Sequence, residues 1–265
     1  MPGENCILGA IAGDIIGSPY EFSDVKSLDF ELFTNGTYFT DDSVFTIATM
    51  HALLHRTVYS RAYRHFGRIY PHRGYIGVLN SWIYSDNPKA YNCWGNGSAT
   101  RVSPVGWYCD NMDDVLAEAK KSAKITHNHP EDIKGAQAVA AAVYLARTGG
   151  TKDEIKEFII DRFDYDLCRK LDEIRPSYKP NESCQGTVPE AIIAFLESTD
   201  YENAVRLAVS IGGDSDTIAA MTGGIAEAYY KEIPEDIADF VQVILGPDIM
   251  LDVVMPFSKK YRRFG

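Results

Sequence analysis

Apolar positions recur with a helical period over most of the chain. In 5–16, Ile7, Leu8, Ile11 and Ile15 fall at i, i+1, i+4 and i+8, with Gly9, Ala10, Ala12 and Gly13 between them. That pattern predicts a buried, closely packed helix. A second helix is predicted over 44–58, with Val44, Ile47, Ala48, Ala52 and Leu54 on one side. The segment 113–124 is amphipathic and rich in Ala and Lys. The segment 130–148 opens with Pro130 in its first turn and with Glu131 and Asp132 at the positive end of the helix dipole. It runs through Ala-rich sequence and stops at Gly149-Gly150. Further helices are predicted over 152–162, 188–197, 202–211, 217–230 and 235–245. Alternating runs of β-branched residues are nearly absent, so the expected fold class is all-α. Pro and Gly fall between the helices, and there is no long linker, fixed-period repeat or low-complexity tract. Residues 1–265 therefore read as a single domain.

The helical pattern weakens between 59 and 108. All three tryptophans (Trp82, Trp94, Trp107) lie there, with Tyr70, Tyr75, Tyr84, Tyr91 and the segment Gly95-Asn96-Gly97-Ser98. The first reading is a lid of core-packing aromatics under long loops. The alternative is a ligand-lining wall, because aromatics stack on bases and sugars.

Composition narrows the function classes. The chain of 265 residues carries 37 acidic and 26 basic side chains, a net charge of −11. That surplus disfavours a general nucleic-acid binder and a surface that docks on anionic lipid. No apolar run is expected to reach the roughly 18 residues that cross a bilayer. The first sixteen residues have no basic n-region and contain Asp14, unlike a signal peptide. The five cysteines, an odd number, show no CxxC spacing, which argues against a disulfide framework or zinc knuckle. A cytoplasmic protein is expected.

Most of the acidic surplus reads as solubility, but two places do not. Phe39-Thr40-Asp41-Asp42-Ser43 precedes one apolar helix, and Ile211-Gly212-Gly213-Asp214-Ser215-Asp216-Thr217 precedes another. Either motif alone reads as helix capping. Capping needs one side chain, however, and here carboxylates crowd together at the starts of buried helices, where they repel and are desolvated unless something compensates. If the two starts converge, four carboxylates with Thr40 and Thr217 form a set of hard oxygen ligands suited to two Mg²⁺ or Mn²⁺ ions. Asp14 reads as a buried polar anchor, and Glu21, taken alone, as a solvated loop residue.

These motifs together resemble the ADP-ribosylglycohydrolase family. Gly13, Asp14, Gly17, Pro19 and Glu21 match its G-D-x-x-G-x-P-x-E segment, and Thr40 to Ser43 match T-D-D-[TS]. Gly95, Asn96, Gly97 and Arg101 match G-N-G-x-x-x-R, and Thr126, His127, His129 and Pro130 match T-H-x-H-P. Val188, Pro189 and Ala191 match V-P-x-A, and Gly212 to Thr217 match G-G-D-[TS]-D-T. The ordered set covers most of the chain. Ser43 and Ser215 stand where relatives often have Thr, and Thr100 where they often have Met. The segment Ser183-Cys184-Gln185-Gly186-Thr187 looks like that of small bacterial members.

The resemblance implies a compact helical domain with a binuclear Mg²⁺ or Mn²⁺ site. Its implied ligands are Thr40, Asp41, Asp42, Asp214, Asp216 and Thr217, with Asp216 as the bridge. Glu21 and Asp41 are the implied catalytic carboxylates. Gly95, Asn96, Gly97, Ser98 and Arg101 would wrap the diphosphate and ribose of an ADP-ribosyl group, with His127 and His129 near the nucleotide. The implied reaction is hydrolysis at C1″, releasing ADP-ribose from a modified protein or small molecule. A non-catalytic nucleotide-binding protein on the same fold and a hydrolase of another ribosyl compound are the alternatives. The acceptor side is expected among the loops 20–39 and 176–187.

Overall fold

The computed structural model describes residues 6–21 and 23–264. Its helices are α1 (Gly9–Gly17), α2 (Asp41–His55), α3 (Tyr59–Ile69), α4 (Gly77–Tyr84), α5 (Gly97–Thr100), α6 (Ser103–Tyr108), α7 (Met112–Lys124), α8 (Pro130–Arg147), α9 (Lys152–Phe163), α10 (Leu171–Ile174), α11 (Cys184–Glu197), α12 (Tyr201–Val209), α13 (Ser215–Tyr230), α14 (Glu235–Ile249) and α15 (Met255–Tyr261). The architecture is all-α. Among the described residues, β-pairing is limited to two isolated bridges, Tyr91 with His127 and Gly95 with Ser183. The expected start of the first helix at Asn5 lies outside the described residues.

Helix α13 is buried from Ser215 to Ala228 and packs against α1, α12, α11 and α8. Its contact with α1 is backbone to backbone. A Cβ on Gly9, Gly13 or Gly17 would lie 2.4 Å from the Gly223 carbonyl oxygen, 2.0 Å from that of Ala219 and 2.5 Å from the Asp216 Cα. The glycines one turn apart in α1 thus set how near the two acidic motifs come. Local capping agrees with the sequence at α8, where the His129 ring accepts the Glu131 N–H (3.2 Å), and at α9, where Thr151 and Glu154 form a capping box.

Three expectations change. The stretch 59–108 holds four helices, α3 and α4 and the short α5 and α6. The face of α3 is aromatic, with Tyr59, Tyr63 and Phe66 buried, and so lacks the aliphatic signal that marks the others. Helix α11 begins at Cys184 and runs through Pro189 rather than starting beside it. Ser183 caps it by accepting the Gly186 N–H (3.2 Å), and the Tyr178 hydroxyl donates to the Gly186 carbonyl (2.8 Å) in the turn that proline disturbs. The third concerns the C-terminal end. The helical run Glu235–Tyr261, with mean hydropathy 1.6, is long and apolar enough to cross a membrane by length and composition, contrary to expectation. It breaks at Gly246 (φ 77°), continues past Pro247, and packs its Val241, Ile249, Val253, Val254 and Phe257 into the core.

Most of the aromatics in 59–108 belong to the core lid. Trp82 and Trp107 are buried, and Trp94 is exposed with its ring 5.6 Å from that of His129.

Candidate functional site

The two acidic helix starts meet. Thr217 Oγ1, in the first turn of α13, donates to Asp42 Oδ2 in the first turn of α2 (2.7 Å), across 175 residues of sequence. A cavity of about 500 Å³ opens over this junction and is lined by Glu21, Asp41, Asp42, Asp214, Asp216 and Thr217 among others.

The α2 side is fixed by Asp14 from α1. Its fully buried carboxylate accepts the Thr40 N–H (3.0 Å), the Thr40 hydroxyl (2.6 Å), the Ser43 N–H (3.1 Å) and the Ser43 hydroxyl. Four donors occupy its acceptor capacity. Thr40 Oγ1 gives its proton to Asp14 and accepts the Asp42 N–H (3.2 Å), so one lone pair is left for a further partner. The expected buried anchor is therefore the group that orients the Thr40–Asp42 turn.

The α13 side is built differently. Gly212 and Gly213 have φ of 77° and 74°, a region where glycine has no Cβ penalty, and Asp214 follows outside helical geometry. Its carboxylate accepts the Asn96 side-chain amide (2.6 Å). Asn96 is itself tied to the loop before α11, its N–H donating to the Glu182 carbonyl (2.8 Å).

The carboxylates fall into two groups whose oxygens lie within 4.8 Å of one another: Asp14, Asp42 and Asp216, and Glu21, Asp214 and Asp216. Asp216 belongs to both. Asp41 is half-buried on the cavity wall, outside both groups. Burial comes first among the causes that push all these carboxyls up. Asp42 rises to about 7, with Asp14 and Asp214 adding repulsion. Glu21 also rises to about 7, with Asp214, Asp14 and Glu182 as neighbours. Asp41 and Asp216 are pushed well above the usual carboxylate range. Like charges crowded out of water are held only by protons or by a cation. The oxygen-only donor set and its shared central carboxylate fit hard divalent metal ions.

The glycine-rich loop forms the opposite wall. Gly95, Asn96, Gly97 and His127 line the cavity. A Cβ on Gly95 would lie 3.3 Å from His127 Nε2, so the ring packs directly on the loop. Burial, with Arg101 second, lowers His127 to about 3 and keeps the ring neutral.

Four residues of the predicted set do not line the cavity: Thr40, buried with its hydroxyl turned to Asp14, and Arg101, Ser98 and His129. Arg101 is fully buried and donates to the Ser122 carbonyl (2.9 Å) and the Thr126 hydroxyl (2.8 Å), with its guanidinium 4.5 Å from the Tyr63 ring centroid. The expectation that it wraps a diphosphate is corrected: it braces the segment that carries His127. Ser98 is buried and donates to the Asp132 carbonyl (3.0 Å). His129 caps α8 and packs against Trp94.

The structure adds wall residues that no motif marked. Ile76 and Leu79 come from the start of α4, and Asp24, Asn181 and Glu182 from the two loops expected on the acceptor side. Only the place of Asp24, Asn181 and Glu182 in those loops is legible in the sequence, since spacing carries no signal for a loop that folds over a cavity.

Comparison with known proteins agrees with the motifs. Residues 4–255 match the family described as ADP-ribosylglycohydrolase. The chain is 28% identical to the mouse protein named ADP-ribosylhydrolase ARH3, an alignment covering 87% of this chain and 84% of that one. It is 28% identical to the ADP-ribosylarginine hydrolase Tri1 of Pseudomonas putida (strain GB-1) over 51% of this chain and 38% of that one. A solved ADP-ribosylglycohydrolase-related protein complex shares the fold, with a TM-score of 0.72 at 24% identity, covering 97% and 95% of the two chains.

Proposed function

This chain belongs to the ADP-ribosylglycohydrolase family, and from that premise we propose that it hydrolyses the C1″ bond of an ADP-ribosyl group, releasing ADP-ribose from a modified acceptor. The observation that carries the reading is the junction of two acidic helix starts around Asp216, at the floor of a cavity walled by the Gly95–Gly97 loop.

Two Mg²⁺ or Mn²⁺ ions would be held by Thr40, Asp41 and Asp42 on one side and by Asp214, Asp216 and Thr217 on the other. Bound there, the ions would supply the positive charge that lets a carboxylate-lined site take a ribose bearing a diphosphate. The chain's own groups do the rest. The Gly95–Gly97 loop would lie along the diphosphate, with the Gly95 and Asn96 N–H groups already given to Cys93 Sγ and the Glu182 carbonyl, and neutral His127 backs that loop without adding charge. Glu21 stands over the Asp214–Asp216 pair, partly open to the cavity. In the reaction a water oxygen bonds to C1″ as the bond from C1″ to the acceptor breaks. One water proton passes to a carboxylate, and the acceptor leaves with a proton. The sugar carbon carries positive charge at the transition state, which Glu21 and Asp41 stabilise.

The test is release of ADP-ribose from defined serine-linked and arginine-linked ADP-ribosyl peptides, with Mg²⁺ or Mn²⁺ and then with excess chelator. Metal-dependent release, lost in Glu21→Gln, is expected. Undiminished release in chelator overturns the metal reading, wild-type turnover by Glu21→Gln overturns its catalytic role, and ADP-ribose binding without release from any peptide favours the non-catalytic alternative.

A further inference from the structure

Eleven residues along α13 from Asp216, Glu227 is fully buried, and nothing in the proposed chemistry uses it. At about 1.5 Å per residue it lies about 16 Å from the acidic junction. Its carboxylate accepts the backbone N–H groups of Leu8 (3.3 Å) and Gly9 (2.7 Å), the first turn of α1. Helix α1 has no capping side chain of its own and no acidic residue in its first turn. Glu227 supplies both from a helix 218 residues away in sequence.

The α1–α13 contact explains why such a clamp matters. Gly9, Gly13 and Gly17 let the two backbones touch, as the Cβ distances above show. A contact made through glycines has few side chains set into holes, so it sets the separation of two helices better than their register. Register is what the site needs, because α1 carries Asp14 and Asp14 holds the Thr40–Asp42 turn opposite Asp216. Three bonds pin the far end of α1, two from its amides to Glu227 and one from the buried Tyr201 hydroxyl, which donates to the Gly9 carbonyl (2.7 Å); just ahead of the helix the Ile7 N–H donates to the Ser258 hydroxyl (2.7 Å).

We propose that Glu227 is a positioning residue for the divalent-metal site: by gripping the first amides of α1 it fixes the slide of α1 along α13, and so the place of Asp14 and the Asp41–Asp42 turn relative to Asp216. The inference rests on the metal reading above. It makes reach, rather than charge, the property of Glu227 that matters.

The experiment is a titration with Mn²⁺, followed by the electron paramagnetic resonance signal of the free ion, on variants shown by circular dichroism to be folded. Glu227→Gln keeps the reach but only one acceptor oxygen, which holds the Gly9 N–H while its amide turns toward the Leu8 N–H, the longer of the two bonds, and a few-fold loss, smaller than that of Glu227→Asp, is expected. Glu227→Asp keeps the charge but is about 1.5 Å shorter, and it is expected to lose about tenfold or more, the scale seen when groups that orient ligands are removed. Tyr201→Phe removes the bond to the Gly9 carbonyl and is expected to lose a few-fold, so it carries the test if Glu227→Asp does not fold. Ile159→Ala, in the core side of α9 remote from α1, is the control: a lower melting temperature with unchanged Mn²⁺ affinity. Wild-type affinity in both Glu227→Asp and Tyr201→Phe overturns the proposal. So does a greater loss in Glu227→Gln than in Glu227→Asp, or an equal loss in Ile159→Ala. Absence of Mn²⁺ binding by the natural chain overturns the metal reading itself, a result distinct from equal binding by all variants.

Discussion

The two acidic helix starts look interchangeable in sequence and are held by unlike means. At α2 the turn is caged: Thr40 caps its own helix, and Asp14 takes four donors from Thr40 and Ser43. At α13 Asp214 makes no capping bond to its helix. It follows two glycines in the left-handed region and is steadied from across the cavity by Asn96. One wall is therefore set by side-chain bonds from the neighbouring helix, which carries Asp14. The other is set by the loop that would meet a phosphate, so ligand contacts at 95–97 bear directly on the position of Asp214. A symmetric motif pair has become one fixed arm and one arm linked to the substrate side.

The comparison breaks most sharply at the group both arms share. Asp216→Asn is expected to lower Mn²⁺ affinity by about a hundredfold or more, with loss of ADP-ribose release. Affinity near that of the natural chain would mean that the two starts do not serve one site.

Asp14→Asn attacks only the fixed arm. The amide offers one acceptor oxygen and turns a donor toward buried donors. A cost of about 1–3 kcal/mol in thermal unfolding and about 10–100-fold in Mn²⁺ affinity is expected. A loss of stability alone would reduce Asp14 to a structural anchor.

Gly213→Ala attacks only the linked arm. It places an L side chain at φ 74° with its Cβ 2.9 Å from Tyr178 Cε1. Urea denaturation should show a loss of about 1–3 kcal/mol, with Asp14 still gripping the α2 turn.

The two arms also share a charge problem that pH reveals. Asp42 and Glu21 sit at about 7 when folded, against roughly 4 for ordinary carboxyls. Between these values the folded chain binds more protons than the unfolded one, so stability falls as pH rises through that window. In chelator the melting temperature should be lower at about pH 8 than at about pH 5. With Mn²⁺ the slope should flatten or reverse, because the ion binds the ionised carboxylates. Identical slopes in both conditions would argue against a cation at this junction.

The smallest effect is expected at the cross-cavity tie. Asn96→Ala frees one oxygen of Asp214 and should cost about 0.5–1.5 kcal/mol, a few-fold in KM for an ADP-ribosylated peptide. No change would place Asp214 under local control after all.

The sequence was most informative where one chemistry repeats. Aliphatic periodicity marked most of the longer helices, and clustered carboxylates before apolar helices marked both halves of the site. It was least informative where a residue's partner lies far along the chain. Arg101 sits in a motif that reads as phosphate-facing, yet its guanidinium is spent on Ser122 and Thr126. Ser98 and His129 are likewise taken up by Asp132 and by the start of α8. The periodicity does not mark helix α3, whose buried face is tyrosine and phenylalanine among arginines, and it starts α11 late, because proline usually opens a helix rather than sitting inside one.

The all-α class, the two acidic helix starts and the glycines that let α1 and α13 touch are all written locally in the chain. These follow from local chemistry: side-chain period, capping preference and the missing Cβ. That Thr217 reaches Asp42, that Asp14 spends all four acceptor positions on the α2 turn, and that Glu227 grips the start of α1 emerge from the packing of the helices. Each of these links joins residues between 26 and 219 positions apart. A hydrogen bond's length and partner depend on how helices pack, and no local preference encodes that distance.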